Sequence, residues 1–530
     1  MRKTILSIAM LLGITQFNSY AQTIYDGELF SNTELTGTAR FVGMGGALGA
    51  LGADISTMST NPAGIGMYRS NDVNFTLGYQ HNEVKSDYIG NTMKASKNRF
   101  GMNTAGLVIS NRFGGSSPVK FVNVGFNYRR LTDFNRNKKM EGLLNMAPDG
   151  VVSITHFMDK QANGILDNGV DIAHEINEGY GIYDNYRIGW LAGLGYEGRL
   201  IERDDKGYFS YLPQPFAKFF SEERGGIDSY DFNVSMNVSD RFFFGLTIGA
   251  YDLDYRKLTY YDEDYDYGEY GLIETRSETS GSGFDFKFGA IIRPFERSPF
   301  RIGLAVHTPV FYKLTHYTGA YMESDIYADR DEVGMEGAEI IESDRYTAED
   351  LDGRDFAFDY KLRTPWKYNI SLGHNIGSYL ALGLEYEYQD FPSMKFSYDG
   401  QGGGGINFIN STRSMLKDVH TFKLGAEYRI VPEFAFRLGY NIQTASFKDA
   451  AYKDIPLNST ITDVQFTNHN KARNTFTMGL GYTGKVFYTD LAFKFDFYKS
   501  QFKPFDDLEL EWTELKTNKS QILLTMGIRL

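Results

Sequence analysis

The stretch "VFYTDLAFKFDFY", Val486–Tyr498, puts Phe487, Leu491, Phe493, Phe495 and Phe497 on one face, with Asp490, Lys494 and Asp496 on the other. A period of two belongs to an extended strand whose two faces meet different surroundings. Its neighbours repeat the pattern. In "HTFKLGAEYRI" (420–430), Phe422, Leu424, Tyr428 and Ile430 oppose Lys423, Glu427 and Arg429. In "YLALGLEYEYQ" (379–389), Leu380, Leu382, Leu384, Tyr386 and Tyr388 oppose Glu385 and Glu387.

Working outward, strands are expected near 72–81, 101–111, 119–130, 229–238, 241–256, 283–293 and 300–310. They continue near 364–375, 379–389, 419–430, 433–442, 474–482, 486–498 and 521–530. The connections keep a beat. Those after even-numbered strands are short: "RFGGSSP", "SD", "PFERSP", "IGS", "VP" and "TGK". Those after odd-numbered strands are long: 82–100, 131–228, 257–282, 311–363, 390–418, 443–473 and 499–520. Short turns at one end and long loops at the other are the asymmetry of an outer-membrane barrel. A soluble sandwich or propeller has no reason to keep it over seven hairpins. The expected fold is therefore all-β: an antiparallel transmembrane β-barrel of about fourteen strands.

Composition agrees. Tyr (37) and Phe (41) are abundant, as is Gly (56), whereas Pro is scarce (13). The mean hydropathy is nevertheless −0.36, because lipid-facing and lumen-facing residues take turns and hide the apolar band. A formal charge of −13 with no basic block argues against a nucleic-acid partner. The absence of Cys excludes disulfides, thiolate metal sites and a Cys nucleophile.

The N-terminus "MRKTILSIAMLLGITQFNSYAQ" reads as a signal peptide over residues 1–21. Arg2 and Lys3 precede an apolar run from Ile5 to Ile14, and the cut is expected after Ala21. At the other end, "SQILLTMGIRL" alternates Ile522, Leu524, Met526, Ile528 and Leu530. An apolar last residue on a terminal strand is similar to the signal read by the barrel assembly machinery. Outer-membrane lipids would surround such a barrel.

Between these ends lies "GTARFVGMGGALGALGADISTMSTNPAGIG" (37–66). It resembles the N-terminal segment of the FadL/TodX family, outer-membrane channels for long-chain fatty acids and other hydrophobic compounds. The matching residues are Ala53, Asp54, Ser56, Thr57 and the run Asn61, Pro62, Ala63 and Gly64. "RTPWKYNISLG" (363–373) and "VPEFAFRLGYN" (431–441) also look like family segments in the same order. The resemblance implies a fourteen-stranded barrel and a hydrophobic small-molecule ligand. It further implies a hatch over 22–71 that folds back into the lumen, with Asn61, Pro62, Ala63 and Gly64 as its gating motif. Glycines at 43, 45, 46, 49 and 52 let such backbone bend and pack closely, and Phe41, Val42, Met44, Leu48, Leu51 and Ile55 are more than a linker needs. The barrel would occupy 72–530, with long insertions near 131–228 and 311–363 departing from the family. Within the first, a helical piece is expected near Ile154–Ile165 as part of a lid.

Other chemistry finds little support in the residues. The eight histidines form no tight ligand spacing, so no metal and no cofactor are expected, although His307 or His316 would suit haem if they lay in an outer loop. The acidic run "YYDEDYDYGEYG" (260–271) fits no EF-hand and reads as a solvated outer surface, with calcium the alternative. No nucleophile elbow or triad is present, and a hydrolase on the barrel is the enzymatic alternative. The leading expectation is gated passive transport, not an enzyme. A haem or other ligand receptor, a general porin and a surface adhesin are alternatives on the same barrel. A plug of about fifty residues is too small for an energy-coupled receptor.

Overall fold

The computed structural model describes residues 23–530, apart from 115–116, 148–149, 179–187, 211, 327–338, 344–355, 400–404, 454, 456–458, 460 and 468–470. The leader read over 1–21 lies outside the described residues. Fourteen antiparallel strands close into a barrel. They are β1 Asp72–Tyr88, β2 Asn91–Arg112, β3 Val119–Asp133, β4 Phe216–Val238, β5 Phe242–Asp264 and β6 Tyr270–Ile292. β7 runs in two pieces, Arg301–His307 and Phe311–Ile326, as does β8, Phe356–Arg363 and Lys367–Ile376. β9 is Leu380–Gln389 with a further piece at Lys395–Tyr398. β10 Val419–Val431, β11 Phe434–Gln443, β12 Arg473–Thr483, β13 Phe487–Lys503 and β14 Thr513–Arg529 complete the wall. Closure is made by β14 on β1, in unbroken register from Asp72↔Arg529 to Asp87↔Glu514. No sheet edge is left to be satisfied in hydrocarbon, which is the condition for strands to span a bilayer.

The alternation decides which way each side chain points. On β13, Phe487, Leu491, Phe493 and Phe497 are exposed on the outer face, while Asp490, Lys494 and Asp496 are buried inside. One residue of slip would invert them all.

Two expected loops are strand instead. Residues 82–100 hold the end of β1, a tight turn and the start of β2, with Ile89 and Gly90 both at positive φ (46° and 84°). That is the backbone twist of a two-residue hairpin. Residues 257–282 likewise continue β5 and β6 around a single turn at Asp266–Gly268. In 311–363 the described residues are mainly the outer pieces of β7 and β8 and a short strand, Glu339–Ser343, paired to β7. These extensions stand beyond the lipid-facing band, so their outward face lacks the apolar residues that reveal a spanning strand, while inward residues such as Val84, Tyr88, Tyr261 and Ile273 are buried.

The insertion 131–228 carries a strand, Arg136–Leu143, paired to β4, and three helices at Ile154–Asp167, Ile172–Asn177 and Trp190–Glu197. Its apolar side packs with Tyr261, Met322, Phe502 and Phe505 from the strand ends into one cluster. The buried Glu263 carboxylate anchors the first of these helices, accepting from Ile154 N–H at 2.8 Å and Ser153 Oγ at 2.5 Å.

β7, β8 and β9 break at the same height. The interruptions fall at Thr308–Val310, Thr364–Trp366 and Asp390–Met394, each containing a proline (Pro309, Pro365, Pro392). His307↔Lys367 and Lys367↔Gln389 pair below the seam, and Phe311↔Arg363 and Arg363↔Lys395 above it. Proline has no N–H for the ladder and forces each strand to restart.

Candidate functional site: the plugged lumen

The N-terminal segment runs through the lumen as two unlike parts. The first is helix α1, Ile24–Ser31, and the second is a coil from Thr38 to Met67 containing the short helix α2, Ala39–Gly43, and turns at Ile55–Ser59 and Pro62–Met67.

The coil is built on its own polar side chains. Thr38 caps α2 by accepting from Phe41 N–H at 3.1 Å, and its hydroxyl donates to Asp54 at 2.8 Å. Asp54 in turn accepts from Ser56 N–H at 2.9 Å. Burial holds the Asp54 carboxyl above its ordinary range, against the opposing pull of Arg40. Asn61 is fully buried: its Oδ1 accepts from Ala63 N–H at 3.2 Å and its Nδ2 donates to the Gly49 carbonyl at 2.9 Å. Pro62 opens the following turn, where a missing N–H costs nothing. Ala63 packs against Phe243 and Ile291 of the wall. Gly64 meets Thr57 so closely that a Cβ would fall 2.5 Å from its hydroxyl, and the Gly64 carbonyl accepts from Ala53 N–H at 3.0 Å. The residues of the Ala53–Gly64 motif, separate in sequence, therefore form one knot.

The wall meets the coil with glycines. Gly373, Gly383, Gly425 and Gly439 are direct cross-strand neighbours on β8, β9, β10 and β11. A Cβ on Gly383 would land on the Ala47 carbonyl, one on Gly425 on the Met44 carbonyl, and one on Gly439 on Gly45 N. Across the barrel, Gly245 and Gly289 pair with each other and face Pro62 and Asn61. Glycine weakens a strand, so this row marks close approach of a second backbone. The sequence reading noticed the glycines of the coil and missed those of the wall. The available signal was a glycine in the middle of strand after strand, as in "ALGLE", "FKLGAE" and "FRLGY".

Above and beside the coil, the lumen is crossed by paired charges. Lys287 lies between Asp231 (2.7 Å) and Asp285 (3.0 Å), and Lys423 between Glu385 (2.8 Å) and Glu387 (3.2 Å). Arg437 bridges Glu427 (2.7 Å) and Asp490 (2.6 Å). Each ion is buried and each has an opposite partner, the condition under which buried charge is tolerated.

Nearer the long-loop end the lumen turns apolar. α1 sits in a chamber of Leu131, Tyr251, Tyr255, Tyr312, Phe391 and Phe447, among others. Tyr25 stacks on Phe447 at 4.9 Å, and Phe30 meets Tyr255 edge-on at 5.7 Å. Glu28 is buried with them, accepting from Ser446 Oγ at 2.7 Å and Asn32 Nδ2 at 3.1 Å, and desolvation pushes its pKa up to about 7. A cavity of about 100 Å³ remains between α1, the coil and the wall, bordered by Phe30, Arg129, His307, Pro365, Lys367 and Glu387. It abuts the proline seam.

His307 and His316 are not in an outer loop. The strand resumes after Pro309, leaving both buried on β7, His307 Nε2 at 2.8 Å from the Thr60 carbonyl and His316 Nδ1 at 2.8 Å from Thr279 Oγ1. Among the described residues, no group of three His, Cys, Asp or Glu is spaced to hold a metal ion.

The fourteen-stranded barrel has parallels among solved structures. The chain superposes on a FadL homologue of Pseudomonas aeruginosa with a TM-score of 0.50 and 13% identity, covering 94% of this chain and 99% of that one. The fold is the FadL fold. The toluene transporters TodX of P. putida (TM-score 0.46, 12% identity) and TbuX of Ralstonia pickettii (0.46, 13%) are also similar, each over 94% of this chain and 99% of theirs. No family model matches the sequence, and no curated protein matches it. What this chain and the FadL homologue share at 13% identity is thus the fold.

Proposed function

We propose that the chain is an outer-membrane channel that passes hydrophobic or amphipathic small molecules, long-chain fatty acids among them, by gated passive diffusion. The observation that carries this reading is the apolar, aromatic chamber stacked on a sealed coil. An open aqueous porin has no use for either. The short-turn end, where both ends of the barrel meet, faces the periplasm in this reading, and the helical insertion faces outward. A ligand first partitions among apolar groups of the outer surface and then takes the place of α1 side chains in the chamber. Movement of the coil at Asn61, Pro62, Ala63 and Gly64 then opens the way onward. Support comes from Asn61, which accepts from Ala63 N–H within the knot and ties the knot to the Gly49 carbonyl of the coil, and from the fold shared with a FadL homologue.

The test is deletion of 37–66. The strands satisfy one another's backbone groups without the coil, so the barrel is expected to stay folded. Conductance to small ions in planar bilayers should rise, and uptake of a fatty acid or toluene by cells should change with it. A folded deletion with unchanged conductance and unchanged uptake would leave 37–66 as a linker and remove the gate.

A further inference from the structure

At the short-turn end, beneath the coil, a pit of about 540 Å³ opens toward solvent. Five arginines line it: Arg40, Arg69, Arg293, Arg301 and Arg429. Only two carboxylates do, Asp240 and Glu427. Both are already engaged. Glu427 is shared by Arg40 (3.0 Å), Arg437 (2.7 Å) and Arg429 (3.6 Å), and Asp240 pairs with Arg69 (2.8 Å) while accepting from Asn237 Nδ2 (2.7 Å). Arg293 and Arg301 have no carboxylate within 4.0 Å among the described residues. Arg293 reaches only the Asp240 carbonyl at 3.3 Å, and the Nε of Arg301 is buried without an acceptor. This excess of positive charge is gathered on a chain whose net charge is −13.

We propose that this pit is a binding site for the oxyanion head group of an amphiphile, a phosphate or a carboxylate. The guanidinium fork matches both groups with paired hydrogen bonds, and unneutralised arginines side by side are stabilised by an anion between them. The site also touches the plug. Arg301 Nη1 donates to the Leu51 carbonyl at 2.9 Å, and Arg40 Nη1 to the Ala53 carbonyl at 2.8 Å. Between those two carbonyls the chain turns through Gly52 and Ala53, both at positive φ (62° and 56°), where an L side chain is strained. An anion that draws on the same guanidinium groups therefore acts on this bend of the coil. The proposal concerns binding at the mouth and does not depend on what the lumen transports.

The test uses the purified full-length barrel in neutral detergent, titrated with short-chain phosphatidylglycerol, phosphatidylcholine, dodecanoate and inorganic phosphate. Binding of phosphatidylglycerol or dodecanoate, displaced by phosphate and absent for phosphatidylcholine, is expected. Preference for the lipid names a membrane head group as occupant, and preference for dodecanoate names a carboxylate amphiphile. In R293Q/R301Q the affinity should fall at least about tenfold, the loss of two charge-assisted contacts, whereas R241Q, outside the pit on the same rim, should bind normally. If the double variant fails to fold, as read by its heat-shifted gel mobility, R69Q should still weaken binding. Equal binding of charged and zwitterionic lipid, or unchanged binding in a folded R293Q/R301Q or R69Q protein, would overturn the proposal.

Discussion

The two parts of the plug are held in opposite ways. The coil from Thr38 to Met67 is gripped by its main chain. Wall side chains bond its backbone directly: Thr525 Oγ1 accepts from Ala39 N–H at 2.7 Å, and Ser235 Oγ donates to the Pro62 carbonyl at 2.9 Å. Asn123 Nδ2 donates to the Ile65 carbonyl at 2.7 Å, and Glu385 accepts from Gly49 N–H at 3.1 Å. α1 is gripped by side chains, through aromatic packing of Tyr25 and Phe30 and the bonds of Glu28. To leave the wall, the coil must strand several buried polar groups at about 1–3 kcal/mol each. To leave the chamber, α1 must expose a few apolar side chains at about 1.5–3 kcal/mol each. The helix is the part built to exchange with an apolar ligand, and the coil is the part built to stay until the knot loosens.

The most severe test of this contrast is to refuse the coil its seat. In Gly383→Leu, the new side chain occupies the position of the Ala47 carbonyl, and overpacking of this kind costs about 1–3 kcal/mol or more. The coil is expected to lift from β9 and the folded barrel to conduct small ions. A silent, folded Gly383→Leu barrel would mean that the glycine row does not seat the plug.

Phe30→Ala should act on the other half alone. Loss of a buried Phe costs about 3–5 kcal/mol, enough to undock α1. A cysteine introduced at Ser31, buried in the native barrel, should become reactive to a water-soluble maleimide while ion conductance stays low. Conductance rising together with reactivity would show that the two parts move as one.

Asn61→Ala is milder. It leaves Ala63 N–H and the Gly49 carbonyl without their partners, a loss of about 1–3 kcal/mol. Faster amide exchange at Ala63 and Gly64 than in the wild type, with exchange in β10 and β11 unchanged, is the expected reading.

The last expected effect is a pH dependence confined to α1. The Glu28 carboxyl titrates near 4.5 when free in water and near 7 when docked, because burial outweighs its bonds to Ser446 and Asn32 and the charges of Arg136 and Arg473. A pKa raised on docking means that the docked state holds the proton longer. Docking is therefore undisturbed below about 4.5, weakens by about 1.4 kcal/mol per unit between there and 7, and changes no further above. Reactivity of the same Ser31→Cys probe should rise across that window, and Glu28→Gln should flatten the curve. A rise that persists in Glu28→Gln would assign it to another group.

Much of the barrel was legible from side-chain alternation, because each spanning strand is sorted by two different solvents. That is why β13 can be read from Phe487, Asp490, Phe493 and Lys494 alone. The outer halves of β1, β2, β5 and β6 were read as loops, since the outward residues of "NEVKSDY" on β1 are Glu83, Lys85 and Asp87, without the apolar side chains that mark a lipid-facing strand. The motif Asn61–Gly64 announced unusual backbone, but its wall partners did not announce themselves: Ser235 and Ile291 are far away in sequence and meet it only when the barrel closes.

By itself, then, the sequence determined strand number, which residues of each spanning strand share a face and the presence of an irregular segment ahead of β1, because these follow from local chemistry repeated along the chain. Closure alone decided the rest. Only a circular wall brings Gly245 and Gly439 to one coil from opposite sides, lines up Pro309, Pro365 and Pro392 into a seam, and gathers Arg40, Arg293 and Arg301 at one mouth. Such groupings depend on which strands become neighbours in space, and no residue carries that information until every strand has found its pair.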